Sequence, residues 1–207
     1  MKTAICILGV LGSIAVVAQE TPRYAFNVGG GFTQPLGSTG SQLDKGWGLA
    51  AGAGVNFNQN IGLMADVGYN SFGVSSNTLN LLGFPGGNLK VFSATLNPVI
   101  HILPRGRVDL YLTGGGGYYR PTQEFTQPGV AGVVGYSPFF GFYRGLVPTT
   151  EVLSSYTTNK PGVDAGIGFS VGTKWRGKLY GEARVNRIFA GNNRYIDYIP
   201  VTFGYRF

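Results

Sequence analysis

Residues 199–207 read Ile199-Pro200-Val201-Thr202-Phe203-Gly204-Tyr205-Arg206-Phe207. Every odd position is apolar and every even position is Pro, Thr, Gly or Arg. A period of two places successive side chains on opposite faces of a strand, so one face of this strand is greasy and the other is not. The chain also stops on an aromatic residue in the apolar register.

The same alternation runs back through the sequence. Val163, Ala165, Ile167, Phe169 and Val171 oppose Asp164, Gly166, Gly168, Ser170 and Gly172. Leu63, Ala65, Val67 and Tyr69 oppose Gly62, Met64, Asp66, Gly68 and Asn70. Tyr24, Phe26, Val28 and Phe32 share one face of a first segment, and Leu49, Ala51, Ala53, Val55 and Phe57 one face of the next. Phe92 to Ile100, Val108 to Tyr118 and Leu179 to Phe189 complete a set of eight segments. The fold class is all-β.

Links between the segments alternate in length. Short turns fall at 58–60, 103–107 and 174–177, and longer connections at about 35–46, 73–88, 121–160 and 190–196. That pattern predicts an eight-stranded antiparallel up-and-down barrel with one plain end and one elaborated end. A soluble sandwich or lipocalin-like barrel would turn its large apolar residues inward over a core. Here Phe, Leu, Val and Ile share one face, while Gly, Asn, Asp, Thr and Arg share the other. Hydrocarbon excludes open sheet edges, so a closed transmembrane barrel with an apolar exterior fits better.

Composition agrees. The 207 residues hold 35 Gly, 14% aromatics and only 12% charged residues. The N-terminus has Lys2, an apolar run from about Ala4 to Val17, and Val16-Val17-Ala18 before polar residues, the layout of a secretory signal peptide cleaved after Ala18. The run is too short for a membrane-spanning helix. Residues 1–18 are therefore read as the signal and 19–207 as one barrel domain. Cys6, the single cysteine, lies within the signal and lacks the small-residue motif for lipid attachment. Lys and Arg outnumber acids 16 to 9, but they are dispersed, and an exported chain has little access to nucleic acid.

With this signal, the eight alternating segments and the short–long links, the terminal Phe203, Tyr205 and Phe207 resemble the C-terminal insertion signal of the OmpA-type and opacity-type outer-membrane β-barrel family. The resemblance covers nearly the whole mature chain. It implies recognition by the barrel assembly machinery, residence in the outer membrane of a Gram-negative bacterium, and a structural or surface-interaction, adhesin-like role, with a narrow porin or ion channel as the alternative. No peptidoglycan-binding domain follows the last strand, so the chain is similar to the barrel domain alone.

An apolar exterior turns the polar register into the lumen. Asp66, Asp164, Glu182, Arg184 and Arg206 then converge as an internal charge network, because charges withdrawn from water must pair. The Gly positions leave room that Tyr111, Tyr119, Tyr180 and Tyr198 could fill. Arg120 and Arg187 fall in the outward register near the elaborated end, where arginine suits lipopolysaccharide phosphates or snorkels to the headgroups. Residues 121–160 read as a long extracellular loop, in which Phe125, Phe139, Phe140, Phe142 and Tyr143 are candidate contacts to an external ligand or a lid over the barrel mouth.

Barrels of this size that modify lipid A or cleave peptides also resemble this chain in architecture, and that resemblance implies a histidine near the extracellular end. The sole histidine, His101, falls beside a short turn at the other end without a matched Ser and acid, so it reads as structural. Gly114 to Gly117 sits within a strand pattern and not at a phosphate-binding turn. No catalytic, metal-binding or cofactor-binding residue is assigned.

Overall fold

The computed structural model describes residues 23–104, 108–173, 177–192 and 194–207. The expected signal segment, with Cys6, lies outside the described residues, as do parts of the turns at 103–107 and 174–177.

Among the described residues nine antiparallel strands form one sheet: β1 (Tyr24–Pro35), β2 (Leu43–Asn56), β3 (Ile61–Val74), β4 (Gly86–His101), β5 (Val108–Ser137), β6 (Gly141–Thr157), β7 (Lys160–Gly172), β8 (Lys178–Gly191) and β9 (Arg194–Arg206). Pairing runs β1–β2–β3–β4–β5–β7–β8–β9 and returns from β9 to β1. These eight close the ring, as the alternation predicts. The ninth, β6, pairs only with the distal part of β5 and stands outside the ring.

Closure follows from chemistry. Phe26, Val28 and Phe32 on β1, Leu49 on β2, Leu96 on β4 and Ile167 on β7 are all about half exposed, whereas Asn27, Asp66, Asn97, Asp164 and Glu182 are buried. The molecule is greasy outside and polar inside, the inverse of a soluble domain. In lipid each backbone N–H and C=O must find a partner within the protein, and a closed ring provides them.

Aromatic rings mark the edges of the apolar band. Phe32 pairs with Trp47, Leu49 with Tyr69, and Tyr69 with Phe92, forming an upper girdle in which the Trp47 and Tyr69 rings lie 5.6 Å apart. Tyr24, Phe57, Tyr205 and Phe207 form the lower one. Trp47 to Phe57 spans ten residue steps on one side of the ring. At about 3.3 Å per residue and a tilt of about 40° that is roughly 25 Å of height, the thickness of hydrocarbon that such a barrel spans.

Two expectations about connections are corrected. Residues 121–160 are not a loop, because β5 continues to Ser137, turns, and returns as β6 in register from Ser137↔Gly141 to Thr122↔Thr157. Gly141 closes the turn at φ 73°, a left-handed conformation that suits glycine. Residues 190–196 are not a long connection either. Strand pairing reaches Gly191↔Arg194, and Gly191 and Asn192 turn the chain at φ 94° and φ 50°. The other two links at this end hold short helices, α1 (Gly37–Gly40) and α2 (Ser76–Leu82). Neither crosses a membrane.

Candidate functional site

Four of the five lumen charges meet. Arg184 on β8 donates through one terminal nitrogen to Asp66 Oδ2 on β3 at 2.9 Å, lies 3.7 Å from Asp164 on β7 through the other, and donates through Nε to Glu182 on its own strand. One guanidinium faces three carboxylates. Neutral donors share the excess charge: Asn97 Nδ2 reaches Asp66 at 2.8 Å, Tyr111 reaches Glu182 at 2.9 Å, and Tyr119 reaches Asp164 at 3.4 Å and Asn186 at 3.1 Å. A buried charge stripped of water is costly unless paired and hydrogen-bonded, and here each carboxylate has both kinds of partner.

Glycines make room for this network. A Cβ on Gly162 would come within 2.7 Å of the Tyr119 ring, one on Gly29 within 2.6 Å of the Tyr180 hydroxyl, and one on Gly168 would overlap the Tyr111 ring. Small residues thus stand where large inward rings lean across the lumen, and Tyr111, Tyr119, Tyr180 and Tyr198 are all buried, filling the space that the glycines leave.

Above the charges the lumen becomes apolar. Phe72, Leu89, Val91, Tyr119, Ile188 and Tyr198 form one buried cluster, with Phe72 and Tyr198 edge to face at 5.4 Å. Sequence reasoning missed this stopper, although Phe72 shares the inward parity of Asp66 and Asn70. A charge layer under an apolar layer leaves about 50 Å³ of space around Arg184.

The fifth charge stands apart. Arg206 makes no ion pair among the described residues, and lies against the faces of Tyr111 at 4.5 Å and Tyr180 at 5.3 Å. The expectation that it joins the acids is corrected. Its parity is inward, but it pairs with Asn27 and Lys178 near the barrel end, well below Arg184. His101 also departs from expectation, since it has an acid: its Nδ1 lies 2.7 Å from Asp109, which also meets Ser170 at 3.5 Å and Lys178 at 3.9 Å. Asp109 is the hub, contacted by both His101 and Ser170, which is not the nucleophile–base–acid order of a catalytic triad.

On the outer wall Arg187 is already occupied. It makes a bidentate pair with Asp197 at 2.9 Å and 2.9 Å and stacks on Tyr195 at 5.2 Å. Arg120, opposite Phe92, is exposed and has no ion pair among the described residues. Past the girdle Lys90 lies 2.6 Å from Glu124, and this hydrogen bond raises the Lys90 ammonium above its ordinary value. Phe203, Tyr205 and Phe207 point outward, and Phe207 is tied to Phe26 by backbone bonds of 2.8 Å and 3.3 Å, which extends the β1–β9 seam.

The expected contact residues divide. Phe125 is half-buried and stacks on Phe84 at 4.4 Å, at the base of the hairpin. Phe139, Phe140 and Phe142 are 88%, 87% and 80% exposed at its tip, and Tyr143 lies just below them. They do not fold over the barrel mouth as a lid. From Thr126, the last β5 residue paired to β4, to Ser137 the ribbon runs eleven residues, about 36 Å of extended chain. Val130, Val134 and Leu146 are also largely exposed, and Arg144 and Glu151 are the only charged residues between 126 and 156.

A family model described as an outer membrane protein beta-barrel domain matches residues 4–207. Among solved structures, Neisserial surface protein A superposes with a TM-score of 0.59 at 14% identity, over 91% of this chain and 98% of that one. Ail, the attachment invasion locus protein of Yersinia pestis, gives 0.49 at 18% identity over 90% and 100%. OprG of Pseudomonas aeruginosa gives 0.49 at 12% identity over 88% and 95%. The first of these likenesses extends to the fold. No curated protein matches the sequence.

Proposed function

We propose, from the chain's membership of the outer membrane protein β-barrel domain family, that it is a surface-interaction protein whose barrel is a closed anchor and whose working part is the β5–β6 hairpin. The observation that carries this reading is the hairpin tip, where three phenylalanines stand bare beyond a lumen blocked by a layer of charge and a layer of apolar rings. An isolated two-stranded ribbon is marginal in water, and contiguous exposed apolar surface marks a place where something binds. A partner that covers the tip supplies the burial that the ribbon lacks.

Export through residues 1–18 and insertion through the Phe203, Tyr205 and Phe207 register complete the proposal. Arg120 supplies an unpaired cation on the lipid face for lipopolysaccharide phosphate, and Arg187, shared with Asp197, contributes less.

The test replaces residues 128–150 by Asn-Gly, which joins the register partners Gln127 and Glu151 through a two-residue turn. Bacteria displaying the full and shortened chains at equal density are compared for adherence to epithelial cell layers. Adherence that falls at least tenfold on shortening supports the reading. Equal adherence, with the full chain above an empty-vector strain, moves the function to another part of the molecule.

A further inference from the structure

Arg206 is the most unusual residue in the lumen. Only 9% of it is exposed, it forms no hydrogen bond or ion pair among the described residues, and its Nε is fully buried without an acceptor. Aromatic faces attract a guanidinium, but they accept none of its five N–H groups in the plane. A buried cation without an acceptor carries the desolvation cost of its charge, and such groups persist where something completes them.

What lies beside it is space. A cavity of about 420 Å³ occupies the short-turn end of the barrel, lined by Arg206, Lys178, His101, Asp109 and Ser170 and by the apolar Ala25, Met64, Val99 and Pro104. Asp109 is engaged by His101 and Lys178. Among the described side chains its charge balances that of Lys178, which leaves that of Arg206. The layer of acids around Arg184 lies beyond Tyr111, whose hydroxyl is turned away to Glu182. Among the described residues the cavity therefore offers a guanidinium without an acidic partner and a largely apolar wall, the makeup of a small-molecule site with an orienting charge.

We infer that this periplasmic-end cavity is a binding site for a monoanionic carboxylate with a compact apolar body, its carboxylate on Arg206 and its body against Met64, Val99 and Ala25. A guanidinium meets a carboxylate with two parallel N–H bonds, which a hydroxyl of the same shape does not match. An acyl chain and a soluble aromatic acid present the same head and differ in body. The site is independent of the hairpin, and neither stands or falls with the other.

The experiment uses the full mature barrel refolded into nanodiscs of zwitterionic lipid, with NMR of the arginine Nε–H groups and the methionine methyls. The probes are 4-phenylbutyrate, octanoate, 4-phenylbutanol and inorganic phosphate. The inference predicts that a carboxylate shifts Arg206 Nε–H and Met64 Cε together and saturates, and that phenylbutanol and phosphate bind at least tenfold more weakly. Tighter binding of octanoate identifies an acyl source, and tighter binding of phenylbutyrate a compact aromatic acid. Arg206→Gln weakens the better acid at least tenfold, and Met64→Trp, which fills the cavity, does the same while leaving Arg206 in place. Should R206Q fail to fold, the wild-type spectra and M64W decide. Equal binding of acid and alcohol, binding of phosphate as tight as that of either acid, affinity unchanged in a folded R206Q, or saturation without a shift at Arg206 and Met64 overturns the assignment.

Discussion

Strand β5 belongs to two environments. From Val108 to Tyr119 it lies between β4 and β7, with Leu110, Leu112 and Tyr118 toward lipid and Asp109, Tyr111, Thr113 and Tyr119 toward the lumen. From Gln127 to Ser137 it has β6 as its one partner, and Val130, Val134 and Tyr136 stay largely exposed although each has a residue opposite it on β6. The same backbone is a wall in one half and, under the proposed function, a probe in the other. Stability resides where side chains have a lipid, a ring or a charge to meet, and the proposed binding surface where apolar side chains are left uncovered.

The contrast is sharpest at Arg184. Replacing it by Met leaves Asp66, Asp164 and Glu182 facing one another without their cation, and loss of one partner of a buried ionic cluster costs about 3–5 kcal/mol. Urea titration of refolding, read as the mobility difference between boiled and unboiled samples on SDS gels, is expected to show this drop. A full-strength transition in R184M would mean that the tyrosines and asparagines hold the lumen unaided.

Next is a pair of arginine substitutions. Ala53→Arg faces lipid midway between Trp47 and Phe57 and is expected to cost about 2–4 kcal/mol, whereas Val134→Arg on the hairpin is expected to change stability by about 0.5 kcal/mol or less. Equal costs in the same titration would erase the distinction between the two regions. Gly168→Val is smaller, about 1–3 kcal/mol of overpacking against the Tyr111 ring. Gly132→Val, on the hairpin with nothing near its Cβ, is its neutral control. At the lipid face, Arg120→Ala is expected to weaken lipopolysaccharide binding in a vesicle assay more than Arg187→Ala, whose charge Asp197 already holds. Unchanged binding after both substitutions removes the phosphate contact.

The sequence makes the ring legible because every wall strand has two unlike faces, and lipid against lumen writes itself as a period of two. The hairpin escaped for the opposite reason. Residues 126–156 are apolar toward both sides, so they carry no contrast between faces, and their Gly and Pro residues read as loop. In the site, parity assigned each inward residue correctly but said nothing of height. Height depends on the stagger between strands, so parity alone groups Arg206 with acids lying well above it and does not match Asp109 and Ser170, both in the inward register, to His101. The apolar stopper of Phe72, Val91 and Ile188 shares the inward parity of the polar lumen residues on the same strands and is legible from it.

The most direct test of a closed anchor is single-channel recording with the mature barrel in a planar bilayer. An Arg184 layer beneath an apolar layer predicts a silent membrane in the wild type and in the protein shortened between Gln127 and Glu151. Steady, reproducible conductance steps in either would contradict the closed lumen and make the chain a pore.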